Sequence, residues 1–126
     1  LTGGSIVLFG DGQQTRDFVY VNDVVDALVT ATTASDVNRS VINIGSGVEV
    51  SINDLVDRIE QVTGRSVNRI CNPAGVSGVP RLVSDISRAK ARLNFEPRTS
   101  LEEGIRLMLE LDDRFRQYTA ESATTS

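Results

Sequence analysis

Apolar and polar residues follow two periods along the chain, one typical of strands and one typical of helices. Alternating or β-branched runs predict strands, and three- and four-residue apolar spacings predict helices. The predicted strands cover residues 5–9, 16–21, 41–44 and 67–71, and the predicted helices cover residues 23–33, 52–63, 85–93 and 101 to about 118. A loop occupies the region between the last strand and the third helix. This order of elements predicts a mixed α/β fold with about four helices.

Polar residues at the helix ends sharpen these boundaries. The predicted N-terminal caps are Asn22 or Asp23, Ser51, Ser84 or Asp85, and Ser100. Ser100 with Glu103 forms a capping box, and Gly64 is placed to end the second helix. The first helix carries an apolar face of Val24, Val25, Leu28, Val29 and Thr32.

Length and composition limit the classes of protein that need considering. The chain has 126 residues, of which 40% are hydrophobic, enough for one small domain, predicted over residues 1–118 with a flexible polar tail at 119–126. No apolar run approaches the roughly 20 residues of a membrane span. Cys71 is the single cysteine, so no internal disulfide forms and a reducing cytoplasm is expected. The net charge of −4 comes from interspersed acids and bases, which argues against nucleic acid as a partner.

One stretch combines a glycine turn, an arginine and an apolar strand. Gly10 and Gly12 flank Asp11 and permit a tight turn, and Arg16 follows at the start of the predicted strand. A guanidinium presents a planar fork of donors that matches phosphate or carboxylate oxygens. The stretch therefore indicates an anion-binding arginine, and the alternative is a surface ion pair with Asp11 or Asp17.

Four segments of the chain carry a resemblance to a known family. They read GDGQQTRDFVYVNDVVDA from residue 10, NIGSG from residue 43, DISRAKARLNFEP from residue 85 and TSLEEGI from residue 99. In these segments the chain resembles the late part of extended short-chain dehydrogenases/reductases, the NAD-dependent nucleotide-sugar epimerases, dehydratases and decarboxylases. The resemblance implies the C-terminal, substrate-binding portion of a Rossmann-type enzyme.

The resemblance implies roles for three residues. Arg16 matches the family position that contacts the diphosphate of the nucleotide-sugar, and Asn43 matches one that reaches the substrate in related dehydratases. The alternative role for the Asn43 side chain is a hydrogen bond to the neighbouring Gly-Ser-Gly backbone. Where many UDP-sugar enzymes have Arg-Pro-Gly-Asp, this chain has Gly75 and Gly78 in place of the arginine and the acid. Arg81 is then a stand-in for that arginine or an exposed strand-edge residue, and the base of the nucleotide stays open.

Two features that the family needs for catalysis are missing from the sequence. No glycine cluster has the spacing of a dinucleotide fingerprint after an opening strand. Four residues after Tyr20 and Tyr118 stand Val24 and Ser122, so the family's proton-transferring tyrosine–lysine pair is missing. We therefore expect no catalytic, cofactor-binding or metal-binding residue in this chain, and NAD only in a complete enzyme.

The leading hypothesis is a substrate-binding portion of a longer enzyme, expressed alone or naturally truncated, and inactive by itself. The alternatives are a non-catalytic nucleotide-sugar binding module and a relic that acts as a structural or oligomerisation domain. Elements that normally pack against a cofactor domain would leave apolar surface exposed, so a separate domain or a second copy is the expected partner.

Overall fold

The computed structural model describes residues 4–35, 37–74 and 78–115. The last helix was predicted to continue to about Tyr118 but ends at Leu111, because the backbone of Asp112 is extended. Residues 116–118 and the predicted tail at 119–126 lie outside the described part. In chain order the elements are β1 (Ser5–Phe9), β2 (Thr15–Arg16), α1 (Val21–Thr33), β3 (Val50–Ser51), α2 (Ile52–Thr63), β4 (Asn68–Asn72), β5 (Arg81–Leu82), α3 (Ser87–Leu93) and α4 (Leu101–Leu111). The predicted mixed α/β fold with about four helices is confirmed.

The strands form two small sheets. β1 pairs with β4 in parallel, with Val7 opposite Ile70. β2 lies between β3, to which it is antiparallel, and β5, to which it is parallel. In the second pair Thr15 lies opposite Arg81 and Arg16 lies opposite Leu82. The three-stranded sheet therefore brings the glycine turn, the start of α2 and the loop before α3 to one place.

Three predicted helix ends are confirmed, because local chemistry determines them. The Ser51 hydroxyl accepts a hydrogen bond from the Asp54 N–H at 3.0 Å, and the Ser100 hydroxyl accepts one from the Glu103 N–H at 3.1 Å. Each bond satisfies a backbone donor that the first turn leaves without a partner. Gly64 ends α2 with φ of 65°, a left-handed conformation that glycine adopts without steric cost.

The main core lies where α1 and α3 pack together. Its buried members are Ala27, Ile86, Ala89, Leu93 and Phe95, with Ile42 and Ile44 packed partly against them. Small residues on α1 and α3 permit the close approach of the two helices. The core thus anchors the segment before α3, which also carries β5.

Of the four predicted strands, the one over residues 5–9 is confirmed, and the other three differ from the prediction. The strand predicted over residues 16–21 is only Thr15–Arg16, because its partners β3 and β5 are themselves two residues long. Residues 41–44 form no strand; Ile42 and Ile44 pack partly against the core, yet no described strand pairs with this segment. β4 lies one residue later than predicted.

Two helix starts also differ from prediction. α1 begins at Val21, and Asp23 caps a different segment by accepting the Arg98 and Thr99 N–H groups at 3.3 and 3.1 Å. α3 begins at Ser87, two residues later than predicted, with Asp85 accepting the Ser87 N–H at 2.9 Å.

The apolar face predicted for α1 points outward. Only Asp23 and Ala27 of this helix are buried, and its exposed large apolar residues are Val21, Val25, Leu28 and Val29. Met108 and Leu111 of α4 are exposed as well. The periodicity identified the apolar stripe of α1 correctly, but no described part of the chain covers it. Among the described residues, no helix has the length and apolar character needed to cross a membrane.

Candidate functional site

Arg16 lies in the middle strand of the three-stranded sheet, half-buried. Its Nη1 donates to the carbonyl oxygens of Thr15 at 2.6 Å and Val79 at 2.9 Å. Within the described part of the chain it forms no ion pair with Asp11 or Asp17. One nitrogen thus ties the arginine to the loop before β5, and no partner among the described residues occupies the remaining N–H groups of the guanidinium.

Arg81 is held by the carboxylate of Glu49. Its Nε donates to Glu49 Oε2 at 2.9 Å, and Thr15 Oγ1 donates to Glu49 Oε1 at 2.6 Å. The hydrogen bond from Thr15 and then that from Arg81 lower the pKa of Glu49 below its usual value. Glu49 therefore bridges β2 and β5. Its position directly before the apolar Val50 offered no signal of this role.

The register determines how the two arginines are arranged. Arg81 lies opposite Thr15, and both of their side chains reach Glu49. Because successive side chains of a strand point to opposite faces, Arg16 lies on the face away from Arg81. The structure brings the two arginines onto neighbouring strands but does not converge them on one face.

Asp17 occupies the centre of the site. Its Oδ1 accepts the Ser46 N–H at 2.7 Å and the Ser46 hydroxyl at 2.5 Å, and its Oδ2 accepts the Gly47 N–H at 3.0 Å and the Ser84 N–H at 3.1 Å. Partial burial raises the pKa of Asp17, but these hydrogen bonds together outweigh it and hold the pKa below its ordinary value. The Gly45-Ser46-Gly47 turn therefore binds a carboxylate of its own chain.

Gly45 is required by this arrangement. A Cβ at Gly45 would lie 2.5 Å from Asp17 Oδ2 and 2.6 Å from the Ser84 side chain. Such distances are far shorter than any ordinary van der Waals contact, so only glycine lets the carboxylate reach the turn.

Asn43 lies three residues before Ser46 on the extended segment that enters the turn. Its side chain is exposed, while its neighbours Ile42 and Ile44 pack against the core. In the parts of the chain that the structure describes, the Asn43 amide has no hydrogen-bond partner, and it makes none of the contacts to the Gly-Ser-Gly backbone considered above. Its anchoring comes from its neighbours, and its amide is exposed to solvent.

The loop before β5 contains the position where the sequence departs from the commonest family pattern. Gly78 has φ of 70°, a left-handed backbone that an aspartate there would adopt only with strain. Gly75 lies outside the described residues. The loop is instead tied down by Arg16 at Val79 and by the Thr15 N–H, which donates to the Pro80 carbonyl at 2.9 Å.

A separate apolar cleft of about 680 Å³ lies between α2, α4 and the segment before α1. Its main apolar lining residues are Phe18, Tyr20, Leu55, Ile59, Ile105 and Met108. None of Arg16, Asn43 and Arg81 lines it. This lining offers little to a charged diphosphate, and no group of acidic, cysteine or histidine side chains suited to a metal ion is found in the described ranges.

Comparison with known proteins gives the family context. The family model described as GDP-mannose 4,6 dehydratase matches residues 2–108. A UDP-N-acetyl-alpha-D-glucosaminuronate decarboxylase of Bacillus cytotoxicus is 35% identical over 113 residues, which cover 84% of this chain and 35% of that protein. The chain therefore spans about a third of the length of this relative.

Solved structures extend the similarity to the fold. A crystal structure of UDP-glucose 4-epimerase from Thermotoga maritima with UDP-glucose matches with a TM-score of 0.80 and 35% identity, covering 94% of this chain and 36% of that one. UDP-glucuronic acid 4-epimerase from Bacillus cereus, in complex with UDP-glucuronic acid and NAD, matches with a TM-score of 0.76 and 29% identity, covering 91% and 36%. Both matches include nearly all of the elements described above.

Proposed function

Because the chain belongs to the family of NAD-dependent nucleotide-sugar epimerases and dehydratases, we propose that it forms the nucleotide-sugar binding portion of such an enzyme. The observation that carries the proposal is the state of Arg16. One nitrogen anchors its guanidinium to two backbone carbonyls, and the other donors have no partner among the described residues. An anchored arginine with spare parallel donors is suited to a diphosphate.

Arg16 is the main ligand in this proposal, and Asn43 and Arg81 are secondary. The exposed Asn43 amide offers both a donor and acceptors to a sugar or base. Arg81 has a side chain that is 66% exposed and pairs with Glu49, so its contribution requires that this pair opens or turns toward the ligand. The family model is named after a GDP-sugar enzyme, and the relatives reported above are named after UDP-sugars. The titration described below therefore decides which nucleotide base this chain prefers.

NAD belongs to the complete enzyme in this proposal. The glycine positions of this chain do not fit a dinucleotide: Asp17 occupies the amides of the Gly45–Gly47 turn, and Asn53 packs against Gly12, where an added Cβ would lie 2.5 Å from its Oδ1. Because the chain lacks a tyrosine–lysine pair, we further propose that it transfers no hydride by itself. Turnover of UDP-glucose or GDP-mannose by the chain with added NAD would contradict this.

We propose that a cofactor-binding part of the enzyme, or a second copy of this chain, covers the apolar face of α1 and the apolar cleft. The exposed stripe of α1 and the apolar lining of the cleft support this, since contiguous apolar surface favours association. Light scattering over a range of concentrations measures self-association, and a monomer at high concentration would leave the cofactor-binding part as the partner.

The single Cys71 fits a reducing cytoplasm.

Calorimetric titration with UDP-glucose, GDP-mannose and dTDP-glucose tests the binding proposal. We expect the wild type to bind at least one of them and Arg16→Ala to weaken that binding by about tenfold or more, since charge-assisted bidentate hydrogen bonds are lost. Arg106→Ala is the matched control, because Arg106 pairs with Glu103 within α4. Binding of the wild type to none of the three favours the alternative of a structural relic.

A further inference from the structure

We infer that Asp17 is a positioning residue of the proposed nucleotide-sugar site, which holds the three segments that carry Arg16, Asn43 and Arg81 in one fixed arrangement. The inference rests on the proposed function and deepens it. Asp17 does not itself contact the ligand in this scheme. It acts through the segments that its carboxylate joins.

The contacts of Asp17 link segments that are far apart in the sequence. Its side chain accepts two hydrogen bonds from Ser46, one from Gly47 and one from Ser84. Its backbone N–H donates to the Leu82 carbonyl at 3.0 Å, so the β5 segment is joined to it twice. One residue therefore joins residues 17, 46–47 and 82–84.

Each joined segment carries one candidate ligand a short distance away along the chain. Arg16 directly precedes Asp17, Asn43 is three residues before Ser46, and Arg81 is three residues before Ser84. Over three residues of ordered backbone, a shift at the joined residue is passed on to the ligand side chain. The relative placement of all three candidates thus depends on the carboxylate.

The chemistry requires a carboxylate rather than an amide. All four bonds to the side chain come from N–H or O–H donors, and an ionised carboxylate accepts at both oxygens. An asparagine would place its own NH₂ donors against the Ser46 donors or against the Gly47 and Ser84 donors. Asp17→Asn therefore loses about half of the network while it keeps the size of the side chain.

Asp23 provides a matched control within the same chain. It is also a carboxylate that binds backbone N–H groups, those of Arg98 and Thr99, although it is buried whereas Asp17 is partly buried. None of the three candidate ligands lies on that segment. Asp23→Asn therefore removes a similar structural interaction without disturbing the proposed site.

The experiment compares Asp17→Asn, Asp23→Asn and the wild type in the full chain, by calorimetry with UDP-glucose and GDP-mannose and by NMR of the Asn43 and Arg81 side-chain N–H groups. We expect both variants to lower the melting temperature. Only Asp17→Asn should weaken binding by about tenfold and shift the two side-chain signals. Equal loss of affinity in the two variants, or unchanged affinity in Asp17→Asn, would overturn the inference.

Two further readouts keep the result decisive. If Asp17→Asn does not fold, Ser46→Ala removes one donor to Asp17, and an intermediate loss of about threefold is expected, with no loss counting against the inference. If the wild type binds none of UDP-glucose, GDP-mannose and dTDP-glucose, the proposed function fails by itself. The positioning role is then judged from the Asn43 and Arg81 signals, which shift in Asp17→Asn and not in Asp23→Asn if it is correct, and stay unchanged if it is wrong.

Discussion

The surroundings of Asp17 and the outer face of α1 differ in how completely their chemistry is satisfied within the chain. Around Asp17, each carboxylate oxygen accepts two hydrogen bonds from segments that are distant in the sequence. On α1, valine and leucine side chains lie in solvent although their spacing is that of a buried stripe. The polar site is complete within these residues, whereas the apolar packing is not. The difference indicates that these residues are sufficient to build the surroundings of Asp17, whereas the apolar face of α1 needs a further surface to cover it.

Matched leucines test this difference with the largest expected effect. Leu93 is 6% exposed in the core and Leu28 is 63% exposed on α1. We expect Leu93→Ala to lower the free energy of unfolding by about 2–5 kcal/mol, because it leaves a cavity, and Leu28→Ala to change it by less than about 0.5 kcal/mol. Urea denaturation followed by circular dichroism measures both values. A large loss for Leu28→Ala would show that the α1 face is already covered, as in a homo-oligomer.

The same contrast explains which features the sequence predicts and which it does not. Ser51 and Ser100 each bind a backbone N–H three residues away, and Gly64 acts through its own left-handed backbone, so all three roles can be predicted from local spacing. Asp17 acts on Ser46 and Ser84, which are 29 and 67 residues away. Its neighbours along the chain carry no sign of those partners, and the same is true of Glu49.

Strand and helix periodicity fails in a related way. The exposure of residues 41–44 alternates as it does in a strand. A strand also requires a paired backbone, however, and no described segment provides one. The face of α1 has the right period, but periodicity specifies only that a face is apolar and not what packs on it. Family resemblance suggested Arg16 as a candidate ligand, while its carbonyl contacts and its orientation away from Arg81 could be known only from the fold.

Gly45→Ala tests how tightly the polar site is built. The new Cβ would clash with Asp17 Oδ2 and the Ser84 side chain, so we expect a loss of about 1–3 kcal/mol in unfolding free energy. The amides of Ser46, Gly47 and Ser84 should also exchange faster with solvent. Gly64→Ala is the control, because nothing lies within 4 Å of its added Cβ and only its φ of 65° is unfavourable. An exchange rate of the Ser46 amide in Gly45→Ala that equals the wild-type rate would show that the turn is not crowded at Gly45.

Removal of the helix caps should have a smaller effect, away from both regions. We expect Ser51→Ala and Ser100→Ala each to lower the unfolding free energy by about 1 kcal/mol, since each leaves a first-turn N–H without its acceptor. Ser35→Ala is a suitable control, because Ser35 is exposed after the end of α1. Thermal or urea denaturation measures the three variants together. Equal effects of all three would mean that the caps contribute no specific stability.

The pH dependence of Asp17 should give the smallest effect, within about 1 kcal/mol, the usual net contribution of a hydrogen bond. The folded-state pKa of Asp17 is lowered, so its carboxylate contributes stability fully above the unfolded pKa of about 4 and loses it as the pH falls through the folded value. The wild type should therefore exceed Asp17→Asn in unfolding free energy at neutral pH, and the gap should shrink steadily below about pH 4. Urea titrations of both proteins at matched pH values measure this gap. A gap that stays constant on acidification would mean that the ionised carboxylate is not what joins the Ser46, Gly47 and Ser84 segments.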